Sequence, residues 1–223
     1  SASYVDVGSF IPNAGQQKFN LGSTLTSKLN KYISTDVSFA YTKSDVQSVF
    51  NVNGGPMLGL LSWPSDDDAR NYLDSNGNRR FFSASTTGSE LENAFFNVNK
   101  NIFNSLTDRY RLNASSTADV TDWMKLVGQA GVDYYTEKNT IVRHPESNAG
   151  RSFGGIFDQA VITNRNLTFQ YYAQFTAPTL FNDKLRTDLK VGSTVYDYNT
   201  FSAAATGEQF MAPNLYSINN TTL

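Results

Sequence analysis

A single histidine and no cysteine among 223 residues leave few routes to catalysis. The histidine, His144, lies in the run Arg143, His144, Pro145, Glu146. A triad or a zinc site needs partners that converge on the imidazole. None is evident near this position, so His144 reads as an exposed loop residue. Without cysteine there is neither disulfide nor thiolate metal site. The acidic run Ser65, Asp66, Asp67, Asp68 invites a cation, and Asp74, Asn76 and Asn78 copy the first ligand positions of a calcium-binding loop. Arg79 stands where that loop needs glycine, and no glutamate closes it. These residues read instead as a helix N-terminus and a tight turn. Gly54, Gly55, Pro56 and the pair Gly154, Gly155 lack the lysine and spacing of a phosphate loop and read as turns. No metal or cofactor is therefore expected, and the chain is not expected to be an enzyme.

Trp63, with Arg70 and Tyr72 nearby, is the strongest candidate for a ligand contact. Sugar rings stack on aromatic faces, and their hydroxyls need polar partners. The alternative is that Trp63 and the neighbouring Leu60 and Leu61 pack the loop or a protein interface. Two asparagines, Asn113 and Asn166, head glycosylation-type triplets, but both fall within expected strands.

The elements that must position these residues follow from a pattern that occurs three times, at 19–41, 110–135 and 167–195. Alternating apolar and polar residues run into a short polar turn, and a second alternating run returns. Phe19, Leu21 and Leu25 oppose Lys18, Asn20 and Thr24, and after the turn Ile33, Val37, Phe39 and Tyr41 oppose Ser34, Asp36 and Ser38. Tyr110, Leu112 and Ala114 oppose Arg109, Arg111 and Asn113, then Met124, Leu126, Ala130, Val132 and Tyr134 oppose Lys125, Gln129 and Asp133. Leu167, Phe169, Tyr171 and Ala173 oppose Thr168 and Gln170, then Leu185, Leu189, Val191 and Val195 oppose Arg186, Asp188 and Lys190. Period two sends successive side chains to opposite faces of a sheet. Six strands thus have one oily and one wet face.

A soluble sheet over a core also alternates, so composition must arbitrate. Hydrophobic residues make up only 39% of the chain while aromatics reach 13%, and mean hydropathy is −0.39. A transmembrane barrel has this profile, because its interior is polar and its lipid face aromatic and aliphatic. No stretch approaches the roughly 18 apolar residues of a membrane-spanning helix. Each turn delivers an aromatic beside the oily face: Tyr32, Trp123 and, in the looser third copy, Phe181. These are the expected membrane-interface anchors. Asp36, Arg109, Arg111, Asp133, Arg186 and Asp188 are expected to face the lumen. Net charge is −2 and the basic residues are scattered, which argues against a nucleic-acid partner.

The predicted organisation is a first strand at 1–7 and hairpins near 18–43, 106–136 and 165–198, turning at 27–31, 116–122 and 177–184. Long insertions fall at 44–105 and 137–164. Each strand needs about ten residues to cross a bilayer at a tilt. The longer insertion is expected to hold its own structure, with a capping box at Ser65 to Asp68 opening a helix over 69–73 and a helical turn near 90–97. Seven strands are too few for a standard closed single-chain barrel, so the 223 residues read as part of one barrel domain.

Residues in order along the chain carry a resemblance. Glu92, Asn93, Ala94, Phe95, Phe96, Asn97 lead to Asp108, Arg109, Tyr110, Arg111, Leu112, Asn113, then Asp119, Val120, Thr121, Asp122, Trp123, Met124, and close on Gly131, Val132, Asp133, Tyr134, Tyr135. With Gln17 to Leu21, Lys31 to Ile33, Phe39 to Thr42 and Pro213 to Asn220, this resembles the barrel of SusC/RagA-like TonB-dependent outer-membrane transporters. The resemblance implies a 22-stranded barrel with an internal plug, here missing together with the other strands. It implies import of an oligosaccharide or peptide across the outer membrane of a Gram-negative cell. It also implies a SusD-like surface lipoprotein as lid, TonB acting through the plug, and lipid or lipopolysaccharide against the oily face.

The expected fold is therefore all-β, an antiparallel transmembrane β-barrel segment with long extracellular loops. The rival is a soluble β-sandwich, a carbohydrate-binding or adhesion module with Trp63 stacking a glycan and the oily faces sealed in a core.

Overall fold

The computed structural model describes residues 1–49, 55–81, 92–176, 187–212 and 214–222. Seven strands form one antiparallel sheet in sequence order: β1 (Ala2–Gly8), β2 (Gly15–Lys28), β3 (Ile33–Ser48), β4 (Ile102–Thr121), β5 (Met124–Arg143), β6 (Ile156–Thr176) and β7 (Asp188–Glu208). Two short helices, α1 (Gly55–Leu61) and α2 (Ala94–Lys100), lie between β3 and β4. The described residues contain no second sheet over this one. Phe39, Leu126 and Phe169, which a sandwich would seal in its core, are 38%, 43% and 51% exposed. This is the wall of a barrel, not a soluble sandwich.

The register converts the sequence alternation into two faces. Val37 pairs with Ala114, Ala114 with Ala130, Ala130 with Phe169 and Phe169 with Val195. The row above holds Phe39, Leu112, Val132, Leu167 and, on β7, Asp197, and the next holds Leu21, Tyr41, Tyr110, Tyr134 and Arg165, which pairs with Asp197 at 3.0 Å. At the short-turn end, Met124 sits opposite Phe175 and Phe175 opposite Leu189. From Tyr110 to Thr121 this oily band runs about 36 Å along β4. At a strand tilt near 40° that is roughly 27 Å of height, the thickness of a bilayer core.

The opposite face is polar. A cavity of about 570 Å³ lies along it, lined by side chains of β2 to β6 that include Asp36, Ser38, Asn113, Gln129, Thr168 and Gln170. The sheet therefore curves toward its wet side.

Strands run well past the expected ten residues, to between 14 and 21 in β2 to β7. Residues 44–48, 102–105, 137–143 and 156–164, expected within insertions, belong to strands. Beyond the oily band polar residues such as Ser44, Asp45, Asn104 and Lys138 and adjacent apolar pairs such as Ile141–Val142 and Ile156–Phe157 break the alternation, so period two no longer marks a strand that backbone pairing still sustains. The β4–β5 turn is likewise only Asp122 and Trp123, not 116–122. The Ser/Thr run before it reads as turn-like, but its hydroxyls find partners across the sheet, such as Thr35 to Ser116 at 3.2 Å. At the β2–β3 turn, Asn30 Oδ1 accepts the Tyr32 and Ile33 N–H groups. The expected turn at 177–184 lies outside the described residues.

Among the described residues buried apolar side chains are few, and most lie away from the oily band. Phe96, Val98, Val142, Ile156 and Phe157 cluster at the long-loop end. The conventional core of this molecule lies where the strand ends meet the loops that crown the sheet.

Candidate functional site

The crown is built around α2. Asn93 caps the helix, its side-chain oxygen accepting from the Phe95 and Phe96 N–H groups at 2.8 and 3.2 Å. Its amide donates to the Ala69 carbonyl at 3.0 Å. At the other end Asn101 Oδ1 accepts the His144 N–H at 2.9 Å. Asn13, from the β1–β2 turn, donates to the Val98 carbonyl and to Asn99. Lys100 donates to Asn214 in the segment after β7. Four strand-end loops thus meet on one seven-residue helix. Gly59 of α1 lies so close that a Cβ there would meet the Glu92 carbonyl oxygen at 2.3 Å.

A buried ion pair holds the centre. The Arg79 side chain is fully buried and donates to the Glu146 carbonyl at 2.9 Å and to Asn148 at 2.8 Å. Its guanidinium carbon lies 4.7 Å from the Phe81 ring centre and 5.7 Å from that of Phe96. Glu92 Oε1 stands 3.7 Å away and also accepts the Asn148 N–H, while Oε2 accepts from Asn97. Burial pushes the Glu92 carboxyl above the usual carboxylate range, against the lowering effect of these donors and of Arg79. In the sequence Arg79 stood out only as the residue that spoils a calcium loop.

His144 is not the exposed loop residue that its sequence setting suggests. It is 2% exposed, packs edge-on to Phe96 at 5.4 Å, and accepts the Glu146 N–H at Nδ1. Burial, with the Lys100 ammonium, pushes its pKa down to about 4, partly offset by a hydrogen bond with Asn214. Unfolded, it titrates near 6.5. The neutral imidazole therefore stabilises the crown fully above pH 6.5, and that stabilisation is lost as pH falls toward 4. The loss reaches up to about 3 kcal/mol. Glu92 works in the opposite sense, since acid favours its buried neutral form. Hydrogen exchange in 144–150, corrected for intrinsic rates, should accelerate on acidification from pH 6.5 to 4.5, and His144→Gln should flatten that rise.

The expected ligand residues are dispersed among different partners. Trp63 donates its indole N–H to Asp67 at 3.0 Å. Arg70 is exposed and forked onto Asp68, and Tyr72 meets the Phe96 ring edge-on at 6.3 Å. The guanidinium groups of Arg80 and Arg70 hold the Asp67 and Asp68 carboxyls below the usual range. No helix follows the acidic run, because Asp68 accepts the Arg70 N–H and closes a turn there. Asp74 Oδ1 accepts the Asn76 and Asn78 N–H groups, making the turn with Gly77 at φ 81°. The described residues contain no cluster able to hold a metal ion.

Along the wall, Asp36, Arg109, Arg111, Asp133 and Asp188 share the polar, concave face. Arg109 is forked onto Asp133, Thr26 donates to Asp36, and Thr176 donates to Asp188. Arg186 lies outside the described residues, as does Phe181. Tyr32 and Trp123 occupy the two described short turns and are about half exposed. Trp123 stacks on Phe175 at 6.1 Å, and Lys31 lies 4.7 Å over Tyr32. Sequence reasoning missed a second aromatic row at the far edge of the oily band. There Phe19, Tyr41, Tyr110 and Tyr134 follow one another at 6.3, 4.9 and 6.5 Å between ring centres. The switch to Lys43, Asp108 and Thr136 one rung further on was its signal.

No family model matches this chain, and no curated protein matches it. Solved structures do. The RagAB peptide importer in its open-open state matches 100% of the chain at a TM-score of 0.73 and 15% identity. The RagAB peptide transporter and the closed-closed state of the importer match 94% each, at TM-scores of 0.70 and 0.69 and the same identity. The chain spans only 23–24% of the length of those proteins. The resemblance carried by its motifs and the likeness of its backbone coincide, and the chain has the fold of a wall segment of a RagAB-type barrel.

Proposed function

We propose that this chain is wall and rim of an outer-membrane importer for an oligosaccharide or peptide, working with a SusD-like surface lipoprotein and energised by TonB through a plug. It serves as conduit and not as catalyst. The observation that carries the reading is the match to the RagAB importer over the whole chain, on a sheet oily outside and polar inside. The oily band takes the membrane lipid and lipopolysaccharide. The crown supplies the outer mouth, and α1 offers Met57, Leu58, Leu60 and Leu61 as exposed apolar contacts for a lid.

A deletion tests it. Ser48 pairs with Phe103, so a two-residue Asn-Gly turn can replace 49–102 and leave β3 and β4 in register. In the complete transporter this variant should insert normally, judged by heat-modifiable gel migration, and should no longer co-purify with its lid lipoprotein. Normal lid binding by the variant would refute this role for the crown.

A further inference from the structure

Above the oily band, near β1, the lipid-side face carries a polar recess. Tyr4, Phe19 and Lys43 share one rung at the edge of the band. The next rung on the same face is Asp6, Gln17 and Asp45, and the one after it is Gly8, Gly15, Gln47 and Asn104. Such rungs follow each other about 6.6 Å apart along a strand. The two polar rungs floor a recess of about 310 Å³, which Asn13 and Ala14 of the β1–β2 turn also line. Gly8 and Gly15 keep it open, because they put no side chain into it. A Cβ built on Gly8 meets nothing within 4 Å. The turn beside it is held in place, since Asn13 donates to the Val98 carbonyl and to Asn99 of α2 at 3.0 and 2.9 Å.

The lining holds two carboxylates and several amides, with no cation and no aromatic ring. Among the described residues, nothing bonds to the side chains of Asp6, Gln17, Asp45 or Gln47, and Asn104 Oδ1 is buried without a partner. On the lumenal face, Asp36 and Asp133 are instead taken by Thr26 and Arg109.

We propose that this recess takes the uncharged sugar headgroup of a glycolipid whose acyl chains lie on the oily band beneath it. The site goes beyond the importer reading and needs from it only that the wall stands in a membrane. Its position selects a membrane-borne ligand, because the recess opens on the lipid side one rung above Tyr4 and Phe19. A plug or a passing cargo would meet the opposite face of the sheet. Its chemistry selects a sugar. Carboxylates accept from hydroxyls, amides both donate and accept, and each sugar hydroxyl can do both. Two carboxylates without a cation repel a phosphate headgroup. Asp6 and Asp45 stand on either side of Gln17, two strand spacings or roughly 10 Å apart, too far to close on one metal ion. The volume lies at the small end of ligand sites, about 300–1,000 Å³.

The test is photolabelling of the complete transporter in phosphatidylcholine nanodiscs. The probe is digalactosyl diacylglycerol with a diazirine on its outer galactose, and phosphatidylglycerol with a headgroup diazirine is the comparison. The sugar lipid should label peptides covering 4–17 and 43–47 about fivefold more than the phosphate lipid. Asp6→Ala with Asp45→Ala should lower that labelling about tenfold, the scale of one hydrogen bond to a charged group. Gly8→Trp, which fills the recess, should abolish it, and Gly8→Ala should stay within about twofold of native. Heat-modifiable migration checks that each variant is folded. Digalactosyl glycerol with the same diazirine and no acyl chains should label about a tenth as well, and equal labelling overturns the membrane-borne source. Labelling that ignores the headgroup, or that survives Gly8→Trp or the loss of both carboxylates, overturns the site and leaves the importer standing. A complete protein that does not enter the bilayer overturns the wall reading and this site with it.

Discussion

Arg79→Ala should open the crown while leaving the wall intact. Arg79 carries a fully buried charge whose partners come from three segments: Glu146 and Asn148 after β5, Glu92 ahead of α2, and the Phe81 and Phe96 rings. Removing one member of a buried pair costs about 3–5 kcal/mol, because the other is left charged without compensation. Hydrogen exchange in 92–101 and 144–150 should therefore accelerate by at least a hundredfold, with β2 to β6 unchanged. Protonation of Glu92, already favoured by burial, will recover part of the loss at low pH. The double variant Arg79→Met with Glu92→Gln removes both charges and should exchange more slowly than Arg79→Ala. Native-like exchange in Arg79→Ala would show that the pair does not fasten these loops.

Two adjacent residues test the wall. Ala130 lies in the middle row of the oily face, between Ala114 and Phe169, and Gln129 lies on the concave face. Arginine at the midplane of a lipid-facing barrel surface costs about 2–4 kcal/mol, and a lumenal one costs little. In the complete transporter, Ala130→Arg should cut the yield of folded, heat-modifiable protein severely, and Gln129→Arg should leave it near native. Equal tolerance at both positions would mean that hydrocarbon does not cover this face.

The alternation of Tyr110, Leu112 and Ala114, and of Leu126 through Tyr134, made the oily band legible in the sequence because a sheet with one apolar and one polar face imposes a strict period of two. Strand length was not legible. Ser44, Asp45, Asn104, Ser105 and Lys138 are polar on both faces, and only partner strands hold them extended. The crown was hidden for a different reason. Asn93, Asn101, Arg79 and His144 look like surface residues one at a time and become a core only when loops far apart in sequence supply each other's hydrogen bonds. The helical turn expected near 90–97 overlaps α2, and Asn93 inside that range is the cap the sequence reading did not single out. Trp63, Arg70 and Tyr72 were chosen by residue type, and the fold gives each a different partner.

The convergence of four loops on α2 has a mechanical consequence. A push on any one of them is shared by the strand ends to which the others are tied, so this stretch of the rim tilts or shifts as one stiff piece.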